Sequence, residues 1–255
     1  MSFDLSDLLR DWPYEPGKLQ VRKITGSDGR EKLQLRLDMG VLQMEVMGRP
    51  DGHRPDDVES LLELHKERAR EAGADFKLTA EEVGELQAEG IQYYHRYLAF
   101  FQLQDWAGVV RDTKRNLDMF SFVSKHSPDE ELAWTVEQFR PYVLMMNTRA
   151  KANLALEKED VEAAVGLVQK GITAIEKFLR DAGRDEADGD NAEVAGLKEW
   201  LKELRKAAPS PAPKAPKPLS LLEQMHRDME KAVRAEQYER AAELRDAIRA
   251  LQEKG

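Results

Sequence analysis

Histidine and cysteine are the residues whose types and spacing would most directly indicate metal or nucleophilic chemistry in this chain. The chain has no cysteine, which excludes disulfides, thiolate nucleophiles, zinc ribbons and iron–sulfur clusters. No two of its five histidines have the spacing of three or four residues that places two metal ligands on one helical face. The histidines are His53, His65, His95, His126 and His226. We therefore predict no metal site, no cofactor and no catalytic residue. We expect a protein that is not an enzyme, and an enzyme with an unrecognised site is the remaining alternative.

Residues 48–55 form a segment rich in glycine, proline and ionisable groups, between a predicted strand and a predicted helix. Asp51 and His53 in this segment could act as an acid–base pair, or could bind an anion at the start of the helix. The same composition is typical of an ordinary turn. Because the sequence offers no third partner for the pair, we favour the turn.

The segment that contains Asp51 and His53 follows a predicted β-meander. Residues 18–25 and 31–39 read as strands on either side of 27–30, whose Asp-Gly pair is a strong hairpin signal. Gly40 allows a turn before a third strand at 41–47. The second strand alternates between an apolar face and a polar face, and we expect the apolar face to pack on the helices that follow. The apolar residues are Leu33, Leu35, Leu37 and Met39, and the polar residues are Gln34, Arg36 and Asp38.

Helical periodicity dominates the chain after the meander. Pro55 begins a helix that we expect to end at Gly73, and Thr79 with Glu82 forms a capping box for the next helix. Further helices are predicted at about 105–124, 129–157, 160–181 and 191–207. Pro141 should kink the second of these. The sequence therefore predicts a mainly α fold: a helical hairpin body with a small N-terminal three-stranded antiparallel β-meander and a C-terminal tethered helical hairpin.

Two helix–turn–helix junctions in the body are similar to each other, since an aspartate, Asp105 or Asp160, precedes an apolar residue and a new helix in each. The second junction resembles a tetratricopeptide repeat in its small packing residues, Ala152, Ala155, Ala164 and Val168. The two aspartates are farther apart than the roughly 34 residues of that repeat. Tetratricopeptide-like hairpins with long helices and an irregular helical bundle are therefore equally compatible with the sequence.

Six aromatic residues gather near the first junction, namely Tyr93, Tyr94, Tyr97, Phe100, Phe101 and Trp106. Aromatic clusters of this kind belong far more often to a core than to a ligand pocket. We therefore expect these side chains to be core residues.

Proline-rich residues 208–218 form the clearest boundary in the chain. We expect four parts: an N-terminal segment with the meander at 1–55, a helical body at 56–207, the linker at 208–218 and a helical hairpin at 219–255. The first residues lack the features of a secretion signal, and no run approaches the roughly 18 apolar residues of a membrane span. We therefore expect a cytoplasmic protein with no membrane partner.

The C-terminal segment carries the most specific motif. Two amphipathic runs are separated by a predicted bend at 235–237. The sequences Leu-Glu-Gln-Met at 222–225 and Glu-Gln-Tyr-Glu-Arg-Ala-Ala-Glu-Leu-Arg-Asp-Ala-Ile at 236–248 closely resemble the UVR motif of UvrB, UvrC, Clp-type ATPases and the McsA adaptor. The sequence has neither a phosphate-binding loop of the G-x-x-x-x-G-K-[ST] type nor cysteines for the zinc-binding part of McsA. The chain is therefore identified as a stand-alone carrier of the motif.

The resemblance implies a helical hairpin that pairs, in the manner of a coiled coil, with another UVR-type hairpin or with a second copy of itself. It implies apolar contacts by Met229, Tyr238, Ala241, Ala242 and Ile248, and charged contacts by Arg245 and Asp246. The implied function is that of an adaptor in bacterial DNA repair or proteostasis. A hairpin of about 36 residues buries little apolar surface alone, which favours a partner. The alternatives are a hairpin docked on its own body and, for Arg245 and Asp246, a solvated pair of little energetic value.

A second candidate contact surface lies on the predicted strands at 18–36, where six cations face only two acids although the formal net charge of the chain is −9. The candidate contacts to a nucleic acid or an acidic partner are Arg22, Lys23, Arg30, Lys32 and Arg36. A nucleic-acid-associated factor is thus the alternative function. No aromatic residues alternate with these cations, so base stacking has no support, and the net negative charge opposes bulk attraction to phosphates. The simpler interpretation is a solvated outer face of the sheet.

Overall fold

The computed structural model describes residues 4–183, 191–207, 221–235 and 237–252. The chain divides into two compact units, Met1–Ala208 and Pro209–Gly255. The predicted linker at 208–218 lies outside the described residues.

The first unit begins with a short helix and the predicted meander. Helix α1 spans Ser6–Asp11, and the strands are β1 (Val21–Thr25), β2 (Glu31–Leu37) and β3 (Gly40–Glu45). They form an antiparallel sheet in the order β1-β2-β3. Gly29 has a φ of 76°, a left-handed conformation that glycine adopts without a steric penalty, and this explains the turn between β1 and β2.

The prediction that only one face of β2 is buried is wrong. Leu33 and Leu35 are buried as expected, but Gln34 and Arg36 on the opposite face are buried as well. The reason is that the chain before β1 lies over this face, where Nε of Arg36 donates to the Trp12 carbonyl at 2.7 Å. Two other predicted apolar-face residues lie toward the β2–β3 turn and are exposed, Leu37 by 37% and Met39 by 87%.

Seven further helices complete the described part of the first unit: α2 (Leu61–Ala72), α3 (Ala80–Gln102), α4 (Trp106–His126), α5 (Glu130–Glu137), α6 (Arg140–Leu156), α7 (Val161–Asp181) and α8 (Ala192–Ala207). Pro55 begins only a 3₁₀ turn, and α2 begins later, capped by the side chain of Ser60. Gly73 ends α2 with a φ of 64°, as its type indicates. The capping box of Thr79 and Glu82 at the start of α3 is confirmed.

The single kinked helix predicted at 129–157 is instead two helices. Helix α5 ends at Glu137 and α6 begins at Arg140, which places Pro141 in the first turn of α6. A proline has no backbone N–H to donate, and the N–H groups of the first turn have no intrahelical acceptor. Pro141 therefore begins a helix here and does not bend one.

Three apolar clusters form the core of the first unit. One joins the sheet to α3, α4 and α6 and includes Leu33 and Phe100. The second lies among α2, α3, α4, α5 and α6 and includes Leu62 and Leu86. The third joins α6, α7 and α8 around Ile175. Because α3 contributes to the first two clusters, it connects the meander with the helical body, as the prediction of a sheet packed on helices requires.

The two helix–turn–helix junctions share one local geometry. Gln104 and Glu159, which precede the capping aspartates, have φ values of 59° and 58°. The side chain of Asp105 accepts from the Gly108 N–H at 3.0 Å, and that of Asp160 from the Ala163 N–H at 2.8 Å. The junctions are therefore equivalent in structure, and the tetratricopeptide-like interpretation of the body stays a hypothesis.

The second unit contains two helices, α9 (Leu221–Arg234) and α10 (Tyr238–Gln252), in its described part. The predicted helical hairpin is thus confirmed. Among the described residues, no helix has both the length and the apolar character needed to cross a bilayer.

Candidate partner-binding site

The C-terminal hairpin turns within the predicted bend. The Ala235 N–H donates to the Lys231 carbonyl at 3.0 Å, and the Gln237 N–H donates to the Ala232 carbonyl at 2.8 Å. These bonds satisfy carbonyl groups that the end of α9 would otherwise leave open. They fix the point at which the chain reverses between the two amphipathic helices.

The apolar stripe of this hairpin is partly buried. Ala232 is 4% exposed and Ile248 is 6% exposed, while Met229 and Ala242 are half-buried. Among the apolar contacts that the motif implies, Ile248 is thus an interior residue, and Met229 and Ala242 keep surface that a partner can cover. The side chains of Tyr238 and Ala241 lie outside the described part of the structure.

The charged residues of the motif lie on the surface. Arg245 and Asp246 are each 68% exposed, and Nη2 of Arg245 lies 2.9 Å from Oδ1 of Asp246. An exposed pair of this kind is worth only about 0–1 kcal/mol, so it contributes little to the fold. Asp228 and Lys231 form a comparable exposed pair on α9, with 3.3 Å between Oδ1 and Nζ. The hairpin therefore presents charges of both signs that are free to interact with an oppositely patterned surface.

Two cations of the candidate surface on the meander are held by the chain before β1. Nε of Arg22 donates to Oε1 of Gln34 at 2.8 Å, and its guanidinium lies 4.1 Å from the ring centroid of Trp12. Arg36 is 6% exposed and donates to several backbone carbonyls, among them that of Gly40 at 3.0 Å. Both side chains are thus used within the fold.

The other three cations of this surface lie beside carboxylates. Lys32 is hydrogen-bonded to Asp28 at 2.8 Å and to Glu45, and these bonds raise the pKa of Lys32. Nζ of Lys23 lies 3.7 Å from Glu31 and 3.6 Å from Asp105. Arg30, whose side chain is 76% exposed, has its Nε 3.8 Å from Asp28. Four of the five predicted contact residues lie on β1 or β2, where the neighbours Arg22 and Lys23 point to opposite faces of the sheet. Arg30 lies in the turn between the two strands, with a side chain that is 76% exposed.

Asp51 and His53 are not arranged as an acid–base pair. Oδ1 of Asp51 accepts from the backbone N–H of His53 at 2.9 Å, which is the geometry of a local turn. Oδ2 of Asp51 is 3.0 Å from Nη2 of Arg49 and from Nε2 of Gln92. The carboxylate therefore stabilises the turn, in agreement with the prediction that residues 48–55 form an ordinary turn.

A buried polar network, which the sequence did not reveal, joins the sheet to the helices. Arg96 donates to both carboxylate oxygens of Asp112, at 2.7 and 2.9 Å, and to the carbonyls of Glu45 and Gly48, at 2.9 and 2.7 Å. The side chains of Arg96 and Asp112 are each 1% exposed. This bidentate pair connects α3, α4 and the end of β3, and we interpret it as structural.

Glu89 performs a similar structural task at the start of α2. Its carboxylate accepts from the backbone N–H groups of Leu61 and Leu62, at 2.8 and 3.3 Å, and is paired with Arg115. A negative charge at this position is stabilised by the N-terminal end of the helix. Glu89 therefore attaches α2 to α3 and α4.

The aromatic residues near the first junction do not all belong to the core. Tyr93, Tyr97 and Phe100 are buried, as predicted, but Tyr94 is 36% exposed and lines a groove. The one signal in the sequence for this groove is the helical spacing of the apolar residues Ile91 and Tyr94 on α3. Periodicity alone cannot separate such a stripe from a core stripe.

The described residues contain no group of three or more histidine, aspartate or glutamate side chains arranged to hold a metal ion. The sequence also contains no cysteine.

Part of the chain matches the model of a known protein family. Residues 220–254 match the family model UVR, described as the UvrB/uvrC motif. The match covers the C-terminal hairpin and confirms the identification made from the motif. Neither the curated proteins nor the solved structures contain a match to the chain. A UVR motif indicates an interaction with another protein or a role related to DNA repair.

Proposed function

We propose that this chain is a non-catalytic adaptor whose C-terminal hairpin binds a second UVR-type hairpin, in a bacterial DNA-repair or proteostasis complex or in another copy of the chain. The observation that carries the proposal is the UVR match at 220–254 on a hairpin that exposes the charged residues of the motif. The proposal places the protein in the cytoplasm.

The balance of burial and exposure in the hairpin supports a protein partner. In its described part, Ala232 and Ile248 are buried, while Met229 and Ala242 retain exposed surface. Apolar surface that is half-covered in one hairpin can be buried further against another. The exposed Arg245 and Asp246 would then select the partner, since complementary charges at the edge of an interface favour correct pairing.

The alternative, nucleic-acid binding through the meander, has weaker support. Arg22, Lys32 and Arg36 are engaged with other groups of the fold, as described above. Binding of a phosphate backbone requires cations that are free to neutralise it. The geometry therefore favours the adaptor.

The test uses the intact chain, purified UvrB and UvrC, a Clp-type ATPase that carries a UVR motif, and the chain itself as a potential partner. Binding to each is measured by calorimetry, and self-association by sedimentation equilibrium. We expect the pair of substitutions Arg245→Asp and Asp246→Arg to weaken binding by about tenfold or more, because favourable pairs become like-charge contacts.

The matched control reverses the other exposed pair of the hairpin, with Asp228→Lys and Lys231→Asp. Both double variants keep the net charge and the exposed positions of the wild type, so a general effect on stability should appear in both. The adaptor proposal fails if the intact chain binds neither UvrB nor UvrC, does not self-associate, and does not bind a Clp-type ATPase that carries a UVR motif. The assigned role of Arg245 and Asp246 fails if the two double variants bind equally well.

A further inference from the structure

A groove in the helical body is formed by α3, α4, α5 and α6. Its floor includes Met119 and Val143, and its rim includes Ile91, Tyr94 and Phe139. Its volume is about 380 Å³. A cavity of roughly 150 Å³ holds one benzene ring, and small-molecule pockets usually measure about 300–1,000 Å³. The groove thus has room for a ligand of about two fused rings.

The charge of the lining restricts the ligand further. The described residues that line this groove are all uncharged, although charged residues make up 34% of the chain. Transfer of an ionised group to an apolar site without a partner is strongly unfavourable. The occupant must therefore be neutral.

Three tyrosines supply the groove with ring surface and with hydrogen-bonding groups. The rings of Tyr94 and Tyr97 are T-shaped, with centroids 5.5 Å apart, and the ring of Tyr142 lies 6.3 Å from that of Tyr94. T-shaped and tilted contacts are the arrangements that aromatic rings prefer, so an aromatic ligand can extend the cluster. Burial raises the pKa values of Tyr97 and Tyr142, so both phenols remain protonated and can donate a hydrogen bond.

The amide of Asn116, which also lines the groove, is already occupied. Its Nδ2 donates to the Gly90 carbonyl at 2.9 Å, and its Oδ1 accepts from Arg115 at 3.2 Å. The other uncharged polar groups of the lining are the amide of Gln87 and the hydroxyls of Tyr94, Tyr97 and Tyr142. Because these groups can donate a hydrogen bond to an acceptor, a ligand with a carbonyl oxygen fits better than a hydrocarbon.

We propose that this groove binds a neutral aromatic small molecule of about two fused rings that carries one hydrogen-bond acceptor. An amphipathic helix from a macromolecular partner is a poorer fit, because such a helix has charged residues beside its apolar face and the lining of this groove is uncharged. The residues that line the groove all belong to the first unit, and this proposal does not depend on the adaptor proposal.

The test uses Prodan, a neutral naphthyl ketone whose emission shifts to the blue in an apolar site, titrated into the intact chain. Acetylnaphthalene, naphthalene and naphthoate then compete for the site. Acetylnaphthalene should displace Prodan best, and naphthoate should be at least about tenfold weaker because its charge must be desolvated. Tyr97→Phe or Tyr142→Phe should weaken acetylnaphthalene by about two- to tenfold, the usual effect of one hydrogen bond, and leave naphthalene unchanged.

Substitutions at the exposed rim keep the test independent of folding. Ile91 is 49% exposed and Phe139 is 48% exposed, so Ile91→Glu or Phe139→Glu should fold normally and yet place a charge at the mouth of the groove. Ala107→Glu puts the same charge on an exposed position of α4, nine residues before Asn116, the first residue of that helix to line the groove, and it serves as the matched control. We expect the two rim variants to lose at least about tenfold in Prodan affinity and the control to lose none.

Several outcomes would overturn this assignment. These are a Prodan emission that does not shift, naphthoate that competes as well as acetylnaphthalene, or a control that loses as much affinity as the rim variants. A dimer of the intact chain that dissociates on Ile91→Glu would assign the groove to a second copy, and would likewise reject the small molecule.

Discussion

The buried pair of Arg96 and Asp112 gives the sharpest prediction about stability. Asp112→Ala would remove both carboxylate acceptors of Arg96 and leave a guanidinium that is 1% exposed without a counter-charge. Loss of one partner of a buried ion pair typically costs about 3–5 kcal/mol. Arg96 would keep the carbonyls of Glu45 and Gly48 as acceptors, so we expect a loss near the lower end, about 3 kcal/mol.

The assay is urea unfolding of the intact chain, followed by circular dichroism. With an m value of about 2 kcal/mol/M, a loss of 3 kcal/mol lowers the urea midpoint of the first unit by about 1.5 M. The control is Asp118→Ala on the same helix, where the Lys114–Asp118 pair is exposed, and its effect should stay within about 0.5 kcal/mol.

A double variant distinguishes the charge from the packing. Arg96→Met with Asp112→Leu removes both buried charges and should be more stable than Asp112→Ala alone, because the buried guanidinium of Arg96 is no longer left without its carboxylate. It should not reach the wild type, since the two carbonyls lose their donor and the partly exposed Arg111 loses its pair with Asp112. A loss below about 1 kcal/mol in Asp112→Ala, or a double variant less stable than the single one, would refute the reasoning.

Three further predictions concern other parts of the chain. Burial lowers the pKa of His65, so the unfolded state binds a proton on this residue more tightly than the folded state does. The free energy of unfolding should therefore fall as the pH drops below about 6.5. His65→Leu should reduce this dependence on pH, as measured by urea titrations at several pH values. Gly108→Ala would place Cβ 2.7 Å from the buried ring of Phe100 and should destabilise by about 1–3 kcal/mol, whereas Gly166→Ala, with no atom within 4 Å, should be neutral or stabilising in thermal melts. The intact chain should not retard single-stranded DNA in a gel at low salt, and retardation that Arg30→Glu abolishes would favour the nucleic-acid alternative.

Local signals in the sequence predicted the local structure well. The Asp28-Gly29 turn, the Thr79–Glu82 capping box and the end of α2 at Gly73 each depend on residues close together in the chain, and each was confirmed. Pro141 was misinterpreted because a proline at the start of a helix and a proline inside one look alike when the preceding residues also favour a helix.

Contacts between distant residues limited the rest of the prediction. Arg36 alternates with leucines, a pattern that indicates a solvent-exposed face of the strand. The face is buried because the segment around Trp12, 24 residues away in the chain, packs over it. The pairing of Arg96 with Asp112 likewise depends on how α3 and α4 pack, which periodicity does not specify. The UVR motif could be identified from sequence because its residues lie within one short hairpin.

The small size of the hairpin is a physical reason to expect that it binds a partner. Segments below about 40 residues rarely bury enough apolar surface to fold alone, and in the described part of α9 and α10 the fully buried apolar side chains are Ala232 and Ile248. Surface that the hairpin buries against a partner would add to the free energy that orders it. A partner that covers Met229 and Ala242 would stabilise the hairpin and bind it in the same step, because a ligand that binds only the folded state shifts folding toward that state. Interior and contact residues of the hairpin would thus act on one coupled equilibrium, and this is why Ile248 can matter for binding although it is buried.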